Sequence, residues 1–206
     1  MDLRSGAMFP RPGPHLTGSM SFDRTTTPTT TPRRQARATV PLLTIATVTT
    51  GLMAGLFFAF DISVMPGLAH TDDRTYAEAM QNFNAAIDGS GLFMLVFSAA
   101  LVVTALAAVL AHVGGPRPVA RWAGAAAALY LMALIITFAV DIPLNDELAA
   151  AGDPGRITDF SVVDDFRSTW ATTNIARTLL CTAALGVLTR ALLLAGAGGR
   201  TTRLPG

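Results

Sequence analysis

GSGLFMLVFSAALVVTALAAVLAHVGGP, residues 89–116, carries no Asp, Glu, Arg or Lys, and this run decides the fold. At about 1.5 Å per residue, about 20 apolar residues in a helix cross a hydrocarbon core of about 30 Å. An isolated strand would leave its backbone groups unpaired in lipid, so the run must be helical. Working outward, charges delimit further runs of the same kind. Residues 38–60 lie between Arg37 and Asp61, and residues 122–140 between Arg121 and Asp141. A fourth run, about 169–195, is strongly apolar after Arg177 but contains Arg177 and Arg190. The predicted spans are about 38–60, 89–112, 121–140 and 170–194. The expected fold class is all-α, a four-transmembrane-helix bundle with a membrane domain over 37–195.

Composition agrees with this reading. Of 206 residues 51% are hydrophobic and only 14% charged, against about 25% charged in a soluble domain. Arginine supplies all 15 basic residues, and 14 acids bring the net charge to +1. A balance so close to zero argues against nucleic acid as a partner and leaves the lipid bilayer as the expected one. One cysteine, Cys181, excludes an intramolecular disulfide, a CxxC redox pair and a cysteine-based zinc site. His15, His70 and His112 fall in the tail, at one end and at the other end of the predicted bundle, so no two can sandwich a haem. No metal and no other cofactor is expected.

Arginines orient the bundle. Arg33, Arg34 and Arg37 precede the first span, Arg117 and Arg121 join the second and third, and Arg190, Arg200 and Arg203 close the chain. The positive-inside rule places these segments in the cytoplasm, with both termini, as in a multi-pass protein of a bacterial-type cytoplasmic (inner) membrane. Two acids stand in the tail and the other 12 in the two outer loops. Residues 1–36, with TTTPTTTPRRQ at 25–35, read as a disordered cytoplasmic tail. Residues 196–206 read as a second tail. The apolar run after residue 36 exceeds the h-region of a cleavable signal, which predicts a retained anchor; Met8 and Met20 offer alternative starts.

Two strings at span ends match. Phe58-Ala59-Phe60-Asp61-Ile62 ends the first span and Phe138-Ala139-Val140-Asp141-Ile142 the third, each followed by a proline, Pro66 or Pro143. A duplicated helical hairpin and coincidence both account for so short a repeat. After each proline an outer loop is expected. In the first loop Tyr76, Met80, Phe83 and Ile87 recur at helical spacing, which predicts a short interfacial helix. Gln81, Asn84 and Asp88 form a polar stripe beside them. On the fourth span Trp170, Asn174 and Arg177 share one face. Arg177 lies 13 residues before Arg190, about 20 Å along the helix, so it stands at or just below the outer hydrocarbon boundary. Such an arginine should face the bundle interior and find a partner, with Asp61 and Asp141 as candidates. Either an anion site opening outward or a structural ion pair would result, and Asn145 could join the cluster. Gly51-xxx-Gly55 fits a close-packing pattern and admits a homodimer.

GLMAGLFFAFDISVMPGL (51–68), MQNFNAAI (80–87), DIPLND (141–146) and TWATTNIART (169–178) resemble, in order and spacing, four signatures of the anthrone oxygenase-like membrane proteins. Bacterial members of that family mostly carry the label domain of unknown function. The resemblance covers about 45–195 and implies a four-helix integral membrane protein. It further implies an oxygenase that needs no metal or flavin, since characterised fungal relatives oxidise an anthrone to an anthraquinone with O2. Met65, Pro66 and Gly67, Gln81 and Asn84, Pro143, Leu144 and Asn145, and Asn174 and Arg177 match the family's pattern. Asp61 and Asp141 depart from it, standing where small polar residues are usual. Thr172 and Thr173 depart too, standing where an aromatic or basic residue is common.

On this reading a hydrophobic aromatic substrate loses a benzylic proton, the enolate is stabilised, and O2 attacks in a dry site. Arg177 and Asn174 would stabilise the oxyanion, and Asp141 or Asp61 would be the base. Gln81, Asn84, Asn145, Trp170 and Phe60 would bind the substrate, with Phe57, Phe83 and Phe93 as further aromatic walls. The alternative is a non-enzymatic accessory or lipid-binding membrane protein whose Arg-Asp-Asn cluster only locks the bundle.

Overall fold

A computed structural model describes residues 32–200, with side chains from 38 to 197. Most of the tail predicted over 1–36 lies outside the described residues, as do residues 201–206, while residues 32–36 are already helical. The elements are α1 (Pro32–Ala59), a π-helical turn (Phe60–Val64), α2 (Met65–Leu68), α3 (Asp73–Asp88), α4 (Gly91–Gly114), α5 (Arg117–Ile136), a second π-helical turn (Thr137–Asp141), α6 (Ile142–Ala150) and α7 (Ser161–Arg200). Among the described residues there is no strand. Four stretches are long and apolar enough to cross a membrane: Ala38–Leu68, Gly91–Gly114, Arg117–Ala150 and Ser161–Ala197. The chain is an all-helical bundle of a multi-pass membrane protein.

Three of these stretches run past the predicted boundaries, and the prolines explain two of them. Spans one and three are predicted to end before Asp61 and Asp141, with an outer loop after Pro66 and Pro143. Proline, which lacks an N–H and whose ring clashes with the preceding turn, would support an end there. In each case a π turn comes first. Met65 N–H bonds back to the Phe60 carbonyl and Ile142 N–H to the Thr137 carbonyl, five residues away. This shift in register places each proline in the first turn of the next helix, where its missing N–H leaves no bond unmade. The two matching strings thus share a backbone device, a single π turn, as well as residues. Span four starts at Ser161, nine residues before the prediction, because Asp159 and Phe160 lead directly into helix.

α1 packs against α4 and α7, and α5 packs against the same two helices. Neighbours therefore run antiparallel, and α1 and α5, the two helices that end in π turns, lie across the diagonal. Small side chains hold the end near the chain termini together: Ala46, Ala107, Ala111, Ala123, Ala126 and Ala191 are buried around Leu43, Val119 and Leu188. Hydrophobic burial adds little between helices in lipid, so close approach of small residues carries the packing. Gly51 belongs to this pattern inside the chain, since a β-carbon there would lie 3.5 Å from Leu185 of α7, while the Gly55 position faces open space.

α2, α3, α6 and the start of α7 cap the opposite end. Met65, Tyr76, Ala77, Met80, Leu148, Val163, Phe166 and Trp170 form its buried centre. The predicted face of α3 is turned: Tyr76 and Met80 are buried, Phe83 is half exposed, and Asn84 of the polar stripe points inward. Arg167 ties α7 to α3, ion-paired to Asp73 at 2.9 Å and lying 4.5 Å above the Tyr76 ring. Burial pushes the Tyr76 phenol up to about 12, a rise that Arg167 opposes only in part.

The cap depends on the start of α3, where Asp72 accepts the Thr75 N–H at 2.9 Å. That bond holds the Asp72 carboxyl below the ordinary aspartate range. Its contribution is present above the unfolded pKa and is lost as pH falls through the lowered value. Amide exchange in residues 73–77, corrected for intrinsic rate, should therefore quicken as the medium turns acidic. Asp72→Asn, which still caps, should flatten that response, and Asp72→Ala should fray the turn at every pH.

Candidate functional site

The cluster is built by α7, held from both sides by the two π turns. On one side Asp61 accepts from Asn174 Nδ2 at 2.6 Å and from the Thr178 hydroxyl at 2.5 Å. On the other, Asp141 accepts from the Thr173 hydroxyl at 2.6 Å, and its second oxygen lies 3.2 Å from Arg177 Nε. Residues 173, 174, 177 and 178 occupy one broad face of α7, so each acid meets adjacent turns of the same helix. Asp141 and Arg177 are 1% and 5% exposed, a buried ion pair.

The Arg177 guanidinium is fixed at several points. NH2 donates to Asn174 Oδ1 at 3.1 Å and NH1 to the Thr137 hydroxyl at 3.4 Å. Its plane lies 4.6 Å from the centre of the Phe57 ring and 5.3 Å from that of Trp170, both favourable for a cation. A guanidinium has five N–H donors, so two remain beyond these three polar contacts.

Arg177 and Asp141 form part of the wall of a cavity between α1, α4, the second π turn and α7. Its volume is about 90 Å³, smaller than the about 300–1,000 Å³ usual for small-molecule sites, with further open space at its mouth. Phe57, Phe60, Phe93, Phe97, Phe138 and Trp170 make the wall aromatic, and Asn84, Asp88 and Asn145 add polar groups from the capped end. Besides Asp141 Oδ2 and Arg177 Nε, which face each other in the ion pair, three polar atoms of wall residues are buried and lack a hydrogen-bond partner: Asn84 Nδ2, Trp170 Nε1 and Asn145 Oδ1. Orphaned groups of this kind are rare because each costs about 1–3 kcal/mol. Two donors and one acceptor left open on one cavity wall suit a ligand that carries oxygen.

The structure brings together Arg177, Asn174, Asp141 and Asp61, and places Asn84, Asn145, Trp170 and Phe60 on the cavity. It gives three of the expected residues other work. Asn174 cannot donate to an oxyanion, because its two N–H groups are taken by Asp61 and by the Phe57 carbonyl at 2.9 Å. Asp61 is not part of the cavity wall and cannot act there as a base. Gln81 is also absent from the wall: its amide donates to the carbonyls of Leu148 and Gly152 at 2.8 and 3.1 Å, closing the end of α6. Phe83 packs edge-on against Phe60 outside the cavity.

Sequence reasoning missed Thr137, Thr173 and Thr178, whose hydroxyls complete the cluster, and Phe97 and Phe138 on the wall. Threonines recur throughout these helices, most bonding only to a carbonyl one turn back, so nothing in the sequence marked these three. Among the described residues no group of three or more His, Cys, Asp or Glu side chains could hold a metal ion.

The family model described as Anthrone oxygenase matches residues 91–187. That stretch contains α4, α5, the second π turn with Asp141, and α7 through Arg177, so it holds most of the cavity wall. No curated protein and no solved structure matches the chain.

Removing one member of a buried ion pair strands the other. Arg177→Leu should therefore lower unfolding stability in detergent by about 3–5 kcal/mol. The double variant Arg177→Leu/Asp141→Leu should recover most of the loss, a coupling that a double-mutant cycle measures directly.

Proposed function

We propose, from the likeness of residues 91–187 to the family model described as Anthrone oxygenase, that the chain is a cofactor-independent oxygenase acting on a flat, oxygen-bearing polycyclic substrate of anthrone type. The observation that carries this reading is the cavity wall: aromatic on most sides, with a paired carboxylate, a cation and unpaired donors around one volume.

Asp141 is the base. Each of its oxygens makes one contact and keeps a lone pair that can take the benzylic proton. Loss of that proton spreads negative charge onto the ring oxygen. The spare N–H groups of Arg177, with Asn84 Nδ2 and Trp170 Nε1, are the donors that favour the charge where it develops. The electron-rich enolate then reduces O2, a carbon–oxygen bond forms at the former methylene, and the peroxide loses water to leave a second carbonyl. One anthrone and one O2 yield one quinone and one water: the proton on Asp141 returns to the outer peroxide oxygen, and the remaining benzylic proton is lost as the O–O bond breaks and that oxygen departs in water. Asn174 is a positioning residue, holding Arg177 through Oδ1 while Asp61 and the Phe57 carbonyl hold its amide. The placement of arginines supports an inner-membrane location with both termini in the cytoplasm, so that the cavity lies toward the outer leaflet.

A purely structural lock remains the competing reading, favoured by the complete engagement of Asn174. The two readings part on Asn84. If Asn84 serves a ligand, Asn84→Ala should leave unfolding stability unchanged or slightly raised, since it deletes an orphaned donor, and should weaken anthraquinone binding by roughly tenfold. In a lock the stability would likewise be unchanged, and binding would be too.

Activity is tested by oxygen uptake and quinone absorbance with a simple anthrone and the purified protein. Wild type should exceed the spontaneous rate. Asp141→Asn and Arg177→Gln should each lower turnover by about 100-fold or more in protein that still folds. A wild-type rate equal to the uncatalysed one would leave the lock as the better reading.

A further inference from the structure

The cavity mouth is formed by residues of the membrane-spanning helices. Among the residues around the cavity, Met94 of α4, Phe138 of the second π turn and Ile142 at the start of α6 are 47%, 57% and 36% exposed. α4 and α5 are neighbours running antiparallel, and Phe97, one turn below Met94, touches Phe138 with ring centres 6.3 Å apart. The mouth is therefore a side opening between the second and third spans. Toward the capped end Asn84, Ile87, Asn145 and Trp170 line the cavity, and Asp88, itself exposed, is the charged residue at its rim.

Depth sharpens the point. Met94 stands 20 residues before Gly114, the end of α4, about 30 Å along the axis and thus about one hydrocarbon thickness. Phe138 stands 21 residues after Arg117, the start of α5, which is nearly the same distance. The opening lies where hydrocarbon meets headgroups, the level that amphipathic aromatic molecules prefer. Phe138 is shared with a second, shallow hollow made only of Leu131, Leu134, Ile135, Phe138 and Ala139 on the flank of α5. That apolar track descends along the flank from the mouth.

We propose that the cavity is loaded from the bilayer: an apolar aromatic molecule dissolved in the lipid passes sideways between Met94 and Phe138, polar edge toward Arg177. The proposal rests on the oxygenase reading for the identity of the molecule, and on the mouth alone for the route. Entry from lipid keeps the site dry and draws substrate at its concentration in the membrane, which for a flat polycycle far exceeds that in water.

The route can be read without turnover. In a Cys181→Ser background, a cysteine replaces Phe93 inside the cavity, with Ile87→Cys as a second probe should the first disturb the stacking of Phe93 on Phe97. The full chain in liposomes is treated with an uncharged, lipid-soluble maleimide or with a charged, water-confined thiol reagent. Rates are scaled to those of a cysteine at exposed Ser161. The uncharged reagent should react faster on the order of a hundredfold, the penalty a charge meets in hydrocarbon. Met94→Trp should slow it, and anthraquinone in the lipid should protect the cysteine. Equal scaled rates for the two reagents, or a faster charged one, overturn the lipid route even if anthraquinone protects. Selective labelling without protection sustains the route and overturns the oxygenase reading instead.

Discussion

A guanidinium close to hydrocarbon has to be paired, and this requirement organises the capped end of the bundle. Arg177 finds Asp141 two residues before Pro143, and Asp61 stands five residues before Pro66. For both acids to reach α7, the two diagonal helices must arrive at the same height and then continue past a proline. One π turn in each achieves both, widening the helix by a residue and turning the carboxylate inward. Cap, cavity and ion pair therefore share a cause, and none would sit where it does if spans one and three ended at their prolines.

The bundle was legible in the sequence because the cost of a charge in lipid is large enough to leave long uncharged runs. Arg177 was legible for the same reason, with Asp61 and Asp141 both as candidate partners, and the structure pairs it with Asp141. The remainder was hidden for specific physical reasons. A π turn has no composition of its own, so a proline after an apolar run reads as an end. The rotation of α3 that buries Asn84 and half exposes Phe83 depends on what α6 and α7 present to it, which periodicity alone does not encode. Gln81 looked like a ligand group because its partners are carbonyls 67 and 71 residues away. The Asn174 amide looked free because one of its two partners, the Phe57 carbonyl, belongs to the backbone.

The four strings that resemble the family divide on this structure into those that line the cavity and those that support its wall. The match over 91–187 covers Asp141, Asn145, Trp170 and Arg177 on the cavity wall. Asp61 and Gln81 lie before it and serve as supports. The Asp141 departure from the family pattern comes with a second departure beside it, since Thr173 donates to Asp141. The two positions that differ from the resembled pattern therefore act as one bonded pair in the site.

The near symmetry of the two acids also separates a lock from a site. Were the cluster only structural, both sides of α7 should satisfy every polar group, since each orphan costs stability and the lock has no use for it. The Asp61 side meets that standard: both carboxylate oxygens have donors, and both Asn174 N–H groups are used. The Asp141 side does not. There Arg177 retains unused donors, and around the adjoining space Asn84, Trp170 and Asn145 leave polar atoms bare. Two π turns, with the acid second in one and last in the other, thus carry opposite outcomes, one side closed and one open. The asymmetry favours a ligand on the open side, because unpaired polar groups there cost stability that a lock alone would not spend.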